Sequence, residues 1–409
     1  MSDDLSTRLI HHPYKPPEGF EGVAPGVYKA STVFFPNVEA LRTTDWKDKS
    51  GYTYGLHGTP TTFTLEERIA TIEGGLYCVL APSGLAAVSL VDMALLRQGD
   101  EVLIPDNAYG PGKSFASVEL AAWGITHRYF DAMDPADLAR KIGPATRLVW
   151  LEAPGSVTLE FPDLPALVAR VREVNAQRGV DQRPVVTALD NTWGAGIAFA
   201  PFDLGVDISV QALTKYPSGG ADVLMGSVVT RDLALHRQVL LTHMRLGLNI
   251  GVNDAELVLR GLSSMALRYH AQDACTRELA TWMQGQAGVV QVLHPALPGS
   301  PGHATWQRDA TAAACLFSAV FDASISQARI DAFCDSLRLF KLGWSWAGPI
   351  SLCAPYDIGS SRSQGWPHAG GLVRFAVGLE SVHDLRADLA QALTALNPRP
   401  SPFSTDLKD

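Results

Sequence analysis

Apolar residues along this chain fall into two alternating rhythms. Short apolar runs, Cys78-Val-Leu-Ala81, Glu101-Val-Leu-Ile-Pro105 and Arg147-Leu-Val-Trp-Leu151, have the length and content of strands. Each is followed by apolar positions at helical spacing, over residues 85–96, 113–123 and 164–177. Two more runs, Val185-Val-Thr-Ala-Leu-Asp190 and Asp207-Ile-Ser-Val-Gln-Ala-Leu-Thr-Lys215, continue the series as strands. Strands alternating with helices predict an α/β fold with a mainly parallel sheet covered on both faces. The run Gly226-Ser-Val-Val-Thr230 is placed as an antiparallel return, which makes that sheet mixed.

The flanks follow other patterns. Prolines at 13, 16, 17, 25 and 36 break any helix, so residues 1–50 are expected to form an irregular arm. A helix is predicted from Phe63 to the glycine at 74. Residues 232–285 are expected to be helical. Beyond them, 314–321 and 371–377 alternate like antiparallel strands, with helices near 326–339 and 383–396 covering one face. The expected division is therefore an arm at 1–60, a large domain at 61–258 and a smaller C-terminal α+β domain at 259–409.

Composition narrows the class of partner. With 46% hydrophobic and 18% charged residues, a net charge of −9 and no basic run, neither nucleic acid nor an anionic membrane is an expected partner. The first residues lack a basic-then-apolar leader, and no apolar stretch approaches membrane-spanning length; a cytoplasmic location is the expectation. Five cysteines show neither CxxC nor metal-ligand spacing, so they are expected to be buried free thiols, with no metal site.

The chemistry concentrates where the strands end. Open α/β sheets bind ligands at the carboxyl ends of their strands. An acid, Asp190, and an amine, Lys215, both fall there. A buried amine sheds its proton readily and becomes a Schiff-base nucleophile. A carboxylate beside it suits a pyridinium nitrogen, and together the two point to pyridoxal phosphate (PLP). Asp190 taken alone is equally a turn residue beside Asn191. Ser83-Gly84 opens a helix whose backbone N–H groups suit a phosphate, although a plain βα turn has the same sequence. Thr214 offers a hydroxyl there. Tyr109 is placed to stack on a flat cofactor or to be an ordinary loop tyrosine. Arg374, inside an apolar strand, needs either an internal acid or a substrate carboxylate.

From Tyr52 to Glu380 the chain resembles the cysteine/methionine-metabolism family of fold-type I PLP-dependent enzymes. The resemblance is carried by Tyr54-Gly-Leu-His-Gly-Thr-Pro-Thr61, Pro82-Ser-Gly84, Asn107-Ala-Tyr109 and Leu151-Glu-Ala-Pro-Gly-Ser156. It continues through Asp190-Asn-Thr-Trp193, Ala212-Leu-Thr-Lys-Tyr216, His294-Pro-Ala-Leu-Pro-Gly-Ser300, Ser345-Trp346 and Arg374 with Gly378-Leu-Glu380. Ser345-Trp346 and the His294 stretch look like the β-lyase branch rather than the γ-synthases and γ-lyases.

The resemblance implies a role for each matching position. Lys215 carries the cofactor and shuttles a proton, Asp190 pairs with the ring nitrogen and Tyr109 stacks on the ring. Gly84, Leu85 and Thr214 hold the phosphate. Tyr54 reaches it from a neighbouring subunit, which implies a homo-oligomer: a tetramer, with a dimer as the minimal catalytic unit. Arg374 and Ser345 grip the α-carboxylate of a small amino-acid thioether, and Trp346 shapes the pocket. The implied reaction is α,β-elimination from cystathionine, giving homocysteine, pyruvate and ammonia, with other cysteine S-conjugates as further substrates. The alternatives are γ-cleavage or γ-synthesis on the same scaffold, or a PLP-fold protein without catalysis. The chain departs from the family at Leu56-His57, where many members carry a phosphate-contacting arginine, at Ala212, and at Pro349-Ile350. Arg245 is one candidate to replace the missing charge.

Overall fold

A computed structural model describes residues 5–11, 18–19, 22–363 and 365–396. Two short helices, α1 (Leu5–Ile10) and α2 (Val38–Thr43), interrupt the expected irregular arm. Asn37 starts α2 by accepting the N–H of Ala40. Other arm positions fall among the residues not described.

The first strong element is α3 (Pro60–Glu73). Thr59 and Thr62 form a reciprocal cap at its start, proline takes the first turn, and Gly74 ends it in the left-handed region at φ 73°. The larger domain then alternates as the apolar pattern predicts. In order come β1 (Tyr77–Ala81), α4 (Gly84–Leu95), β2 (Glu101–Pro105), α5 (Gly110–Phe115), β3 (Thr126–Phe130), α6 (Pro135–Lys141), β4 (Thr146–Glu152), α7 (Leu164–Gln177), β5 (Val186–Asp190), β6 (Ile208–Ala212) and β7 (Gly226–Thr230). The strands form one sheet in the order β1-β7-β6-β5-β4-β2-β3, in which β7 pairs antiparallel with both neighbours. Separate apolar cores cover its two faces, one under α4 and α5 and the other under α3 and α7.

Helices α8 (Leu233–Leu246), α9 (Val252–Leu262) and α10 (Met265–Met283) fill the predicted helical stretch. The smaller domain follows with β8 (Val289–Leu293), α11 (His303–Asp309), β9 (Leu316–Phe321), α12 (Gln327–Ser336), β10 (Lys341–Leu342), β11 (Leu352–Tyr356), β12 (Leu372–Ala376) and α13 (Val382–Ala392). Its five strands run β10-β11-β12-β9-β8, and Phe317, Phe333, Phe340 and Phe375 pack in its own core. The cysteines are free thiols, four of them buried and Cys275 partly so. Among the described residues, no helix is long and apolar enough to cross a membrane.

Where β1, β6 and β7 meet, side chains are small. A Cβ on Gly84 would stand 2.6 Å from that of Ala212, and one on Gly226 would stand 2.3 Å from the Ser83 carbonyl oxygen. Glycine and alanine therefore let the first turn of α4 sit directly on the sheet's end.

Candidate active site

A cavity of about 650 Å³ opens at this end of the larger sheet, between the two domains. The sequence places Lys215 at a strand terminus, but β6 stops at Ala212 and Lys215 rides the turn after it. That turn is tied down. Lys215 N–H donates to the Ala212 carbonyl at 3.1 Å, and Thr214 exchanges hydrogen bonds with the backbone of Met225. Tyr216, fully buried against Tyr269 at 4.3 Å, anchors the next residue. The amine is left facing the cavity. Its Nζ donates to Ser345 Oγ at 2.7 Å and lies 5.6 Å from the Trp346 ring centre. Burial, and then the nearby positive charge of Arg374, lower its pKa to about 8. Ala347 holds a left-handed φ of 64° just after the Ser345-Trp346 pair, a conformation that costs a non-glycine residue about 1 kcal/mol.

Asp190 ends β5. Its Oδ1 accepts the N–H of Thr192 at 3.0 Å and the Thr192 hydroxyl at 2.5 Å, while that hydroxyl accepts the N–H of Ala212 at 2.9 Å. Burial raises the Asp190 pKa, opposed by the Thr192 hydrogen bonds and by Lys215. Glu152, in register with Asp190 on the neighbouring parallel strand, is a second acid here. Burial, then the repulsion of Asp190, hold its pKa well above the carboxylate range. Glu152 accepts the Tyr109 N–H at 2.8 Å and so fixes the start of α5. Tyr109 lines the cavity at 40% exposure. Burial, Asp190 and Glu152 all raise its pKa, so its phenol stays protonated at neutral pH.

Arg374 is buried, at 8% exposure. Its Nη1 donates to the Ser156 carbonyl at 3.3 Å, and its guanidinium lies 5.1 Å from the Tyr356 ring centre. Among the described residues it has no acidic partner within ion-pair distance, which removes the internal salt bridge as its explanation. A buried guanidinium facing a cavity in this state has the chemistry to accept a carboxylate.

The donors for a phosphate are also in place. Ser83 Oγ accepts the N–H of Ala86, and the Ser83 carbonyl accepts that of Ala87. Among the described residues, the N–H groups of Gly84 and Leu85, at the helix start, have no partner of that kind. The Thr214 hydroxyl, expected to join them, is engaged with Met225, although Thr214 lines the cavity. An acid for a ring nitrogen, an amine for a carbonyl and a helix terminus for a phosphate therefore line one cavity, and PLP fits that set.

Other expected residues lie elsewhere. Tyr54 is 47% exposed and, within one chain, lies outside this cavity. Leu56 and His57 do not face Lys215 within the chain: they line a separate small cavity with Trp46, Lys49 and His243. The His57 ring stacks on Trp46 at 4.4 Å, and its Nδ1 lies 2.8 Å from the Thr53 hydroxyl. Arg245 is exposed and does not line the main cavity. Sequence reasoning assigned no role to Glu152 or Thr192; the signal available was that two neighbouring apolar runs each end in an acid.

Comparison with known proteins agrees with this chemistry. Residues 6–394 match the model of the Cys/Met metabolism PLP-dependent enzymes. A putative cystathionine beta-lyase of Rhizobium johnstonii is 38% identical, over 96% of this chain and 96% of its own. A cystathionine beta-lyase of Bordetella avium is 39% identical, over 96% of this chain and 97% of its own. The solved structure of cystathionine gamma synthase from Xanthomonas oryzae, in complex with aminoacrylate and cysteine, superposes with a TM-score of 0.86 at 28% identity, covering 97% of this chain and 99% of that one. With an amine, an acid and a helix terminus converging on one cavity and a match across nearly its whole length, this chain belongs to the family of Cys/Met metabolism PLP-dependent enzymes.

Proposed function

We propose that the protein is a PLP-dependent carbon–sulfur lyase that converts L-cystathionine and water to L-homocysteine, pyruvate and ammonia. The observation that carries this reading is a weakly basic, half-buried Lys215 sharing one cavity with a buried Arg374 that has no acidic partner among the described residues. The curated relatives named as cystathionine beta-lyases add the substrate.

Bound PLP supplies the electron sink for the pair left when a substrate's α-proton is removed. The chain's own groups do the rest. Asp190 holds the ring-nitrogen proton, and the N–H groups of Gly84 and Leu85 take the phosphate. Arg374, with Ser345, fixes the α-carboxylate and so turns the α-hydrogen toward Lys215. With a pKa of about 8, the Lys215 amine is partly neutral at physiological pH and takes that proton as general base. The Tyr109 phenol, kept protonated, faces the same cavity and can hand a proton to the departing sulfur. Trp346 and Tyr356 exclude water from the reacting atoms.

The reading extends to assembly and place. Tyr54 lies outside its own cavity, and the arm exposes Val23, Phe34, Val38 and Leu41. A second copy of the chain would receive Tyr54 and cover these side chains, making a homodimer the minimal unit of a tetramer; sedimentation of the purified protein tests this. Five free thiols suit the reducing cytoplasm.

The activity test is direct. PLP-loaded protein given L-cystathionine is expected to release homocysteine and pyruvate. Cysteine with 2-oxobutyrate would instead assign γ-cleavage and sink the proposal.

A further inference from the structure

Asp190 does not hold its own position. Behind the strand end that carries it lies Glu73, the last residue of α3, with 0% exposure. A carboxyl buried this deeply is costly, and an apolar side chain at the same place would be cheaper. Both of its oxygens are in use. The Asn191 side-chain amide donates to them at 3.3 and 3.1 Å, and the Ser209 hydroxyl donates to Oε2.

Asn191 directly follows Asp190, and Ser209 belongs to β6. The Glu73 carboxyl therefore bridges the two strands that lead to Asp190 and, past Ala212, to Lys215. The Asn191 Oδ1 has no donor among the described residues, so the contact with Glu73 is what orients that amide. Its backbone N–H donates to the Val210 carbonyl at 2.8 Å. Gly194 leaves the amide room, since a Cβ there would stand 2.3 Å from Oδ1. The groups facing Glu73 are Asp190 at the end of β5, Asn191 just after it, Ser209 from β6 and the Cys78 thiol from β1. Burial raises the Glu73 pKa to about 7 against the Ser209 and Asn191 hydrogen bonds, and Asp190 adds repulsion.

We propose that Glu73 is a positioning residue for the reaction: through Asn191 and Ser209 it fixes the end of β5 so that Asp190 presents its carboxylate to the cofactor's ring nitrogen. This rests on the reading of Asp190 as the acid that meets that nitrogen.

The test uses the full-length protein stripped of PLP and titrated with it, reading both Kd and the pH midpoint of the visible cofactor band. Glu73→Ala is expected to raise Kd about tenfold and move the midpoint by about half a unit or more. Glu73→Gln keeps an acceptor for Asn191 and a polar partner for Ser209, and should hold Kd within about threefold of the parent. Asp92→Asn, altering an equally buried carboxyl in the other core, should change neither reading. Wild-type Kd and midpoint in Glu73→Ala, or a Glu73→Gln variant as impaired as Glu73→Ala, would overturn the proposal. Should Glu73→Ala fail to fold, Ser209→Ala carries the test, with Kd raised about threefold expected and an unchanged Kd against it. No substrate enters these readouts. A parent protein that binds PLP but releases the wrong products would refute the proposed function and leave this inference standing.

Discussion

The Lys215 amine donates to the Ser345 hydroxyl at 2.7 Å, which links a turn of the larger domain to a segment of the smaller one. Neutral amine is the form that attacks a carbonyl, and burial together with Arg374 sets the Lys215 pKa near 8. Loading of the apoprotein with PLP should therefore speed up about tenfold per pH unit below 8 and level off above it. Ser345 accepts from the charged amine and so favours that form. Ser345→Ala should move the rise to lower pH, and Lys215→Ala should abolish the visible band. Stopped-flow absorbance across pH 6 to 9 reads all three.

Arg374 offers a sharper test of substrate orientation. Its charge is buried and its contacts are the Ser156 carbonyl and the Tyr356 ring, so the proposed function gives it a substrate carboxylate as its acidic partner. Losing one member of a buried charge pair costs several kcal/mol, so Arg374→Ala should raise KM about 100-fold or more. Arg374→Lys should recover little of this, because an ammonium cannot offer two parallel donors. Affinity for PLP itself should change far less, and equilibrium titration separates the two effects.

Much of this arrangement was legible before any geometry, and the reason lies in periodicity. Strands buried on both faces, such as β4 and β5, carry continuous apolar runs that stand out against the helices between them. The edge strand β3, Thr126–Phe130, was missed because it alternates exposed and half-buried side chains and contains His127 and Arg128. β11 was missed because Pro355 within it argues against a strand. In the site, Lys215, Asp190 and Arg374 could be found because each is anomalous in its local sequence. The contacts of Glu152 with Tyr109, of Thr192 with Ala212 and of Glu73 with Asn191 and Ser209 join positions 20 or more residues apart, which no local pattern records. Tyr54 lies outside the cavity of its own chain, so its proposed place at the phosphate cannot be read from one chain's geometry.

Stability should depend on pH through Asp92. This residue of α4 is 2% exposed, and its carboxyl accepts the Trp150 indole N–H at 2.8 Å. Burial raises its pKa from 3.8 to about 7, opposed by that hydrogen bond. Between those values the folded state holds a proton that the unfolded state releases. The stabilisation is therefore complete below pH 3.8 and is lost as pH rises through about 7. Urea unfolding of the apoprotein at pH 5.5 and 8 should show Asp92→Asn gaining on the parent by a few kcal/mol at the higher pH, on the order of the linkage for such a shift. A gain that is equal at both pH values would assign the effect to packing.

The cavity's rim is closed by a strap from the smaller domain, and Arg362 fastens it. Its guanidinium reaches Asp106 at 3.3 Å, Glu160 at 3.1 Å and the Thr158 hydroxyl at 3.0 Å, all on the larger domain. Alongside, Lys113 donates to the Asp106 carbonyl at 2.7 Å and to the Ser361 carbonyl at 2.8 Å, while Ser363 donates its N–H and hydroxyl to Asp106. Asp106 and Glu160 are 3% and 7% exposed, so removing the guanidinium takes a positive charge away from two buried carboxylates. Breaking a buried pair in this way costs on the order of 3 kcal/mol. Arg362→Ala should therefore release the strap, expose residues 357–363 to limited proteolysis and raise KM. Because the parent contact is buried, about 0.5 M salt should not reproduce these effects in the unmodified protein. Proteolysis of the parent and the variant, each with and without salt, distinguishes this fastening from an exposed ion pair, which salt alone would loosen.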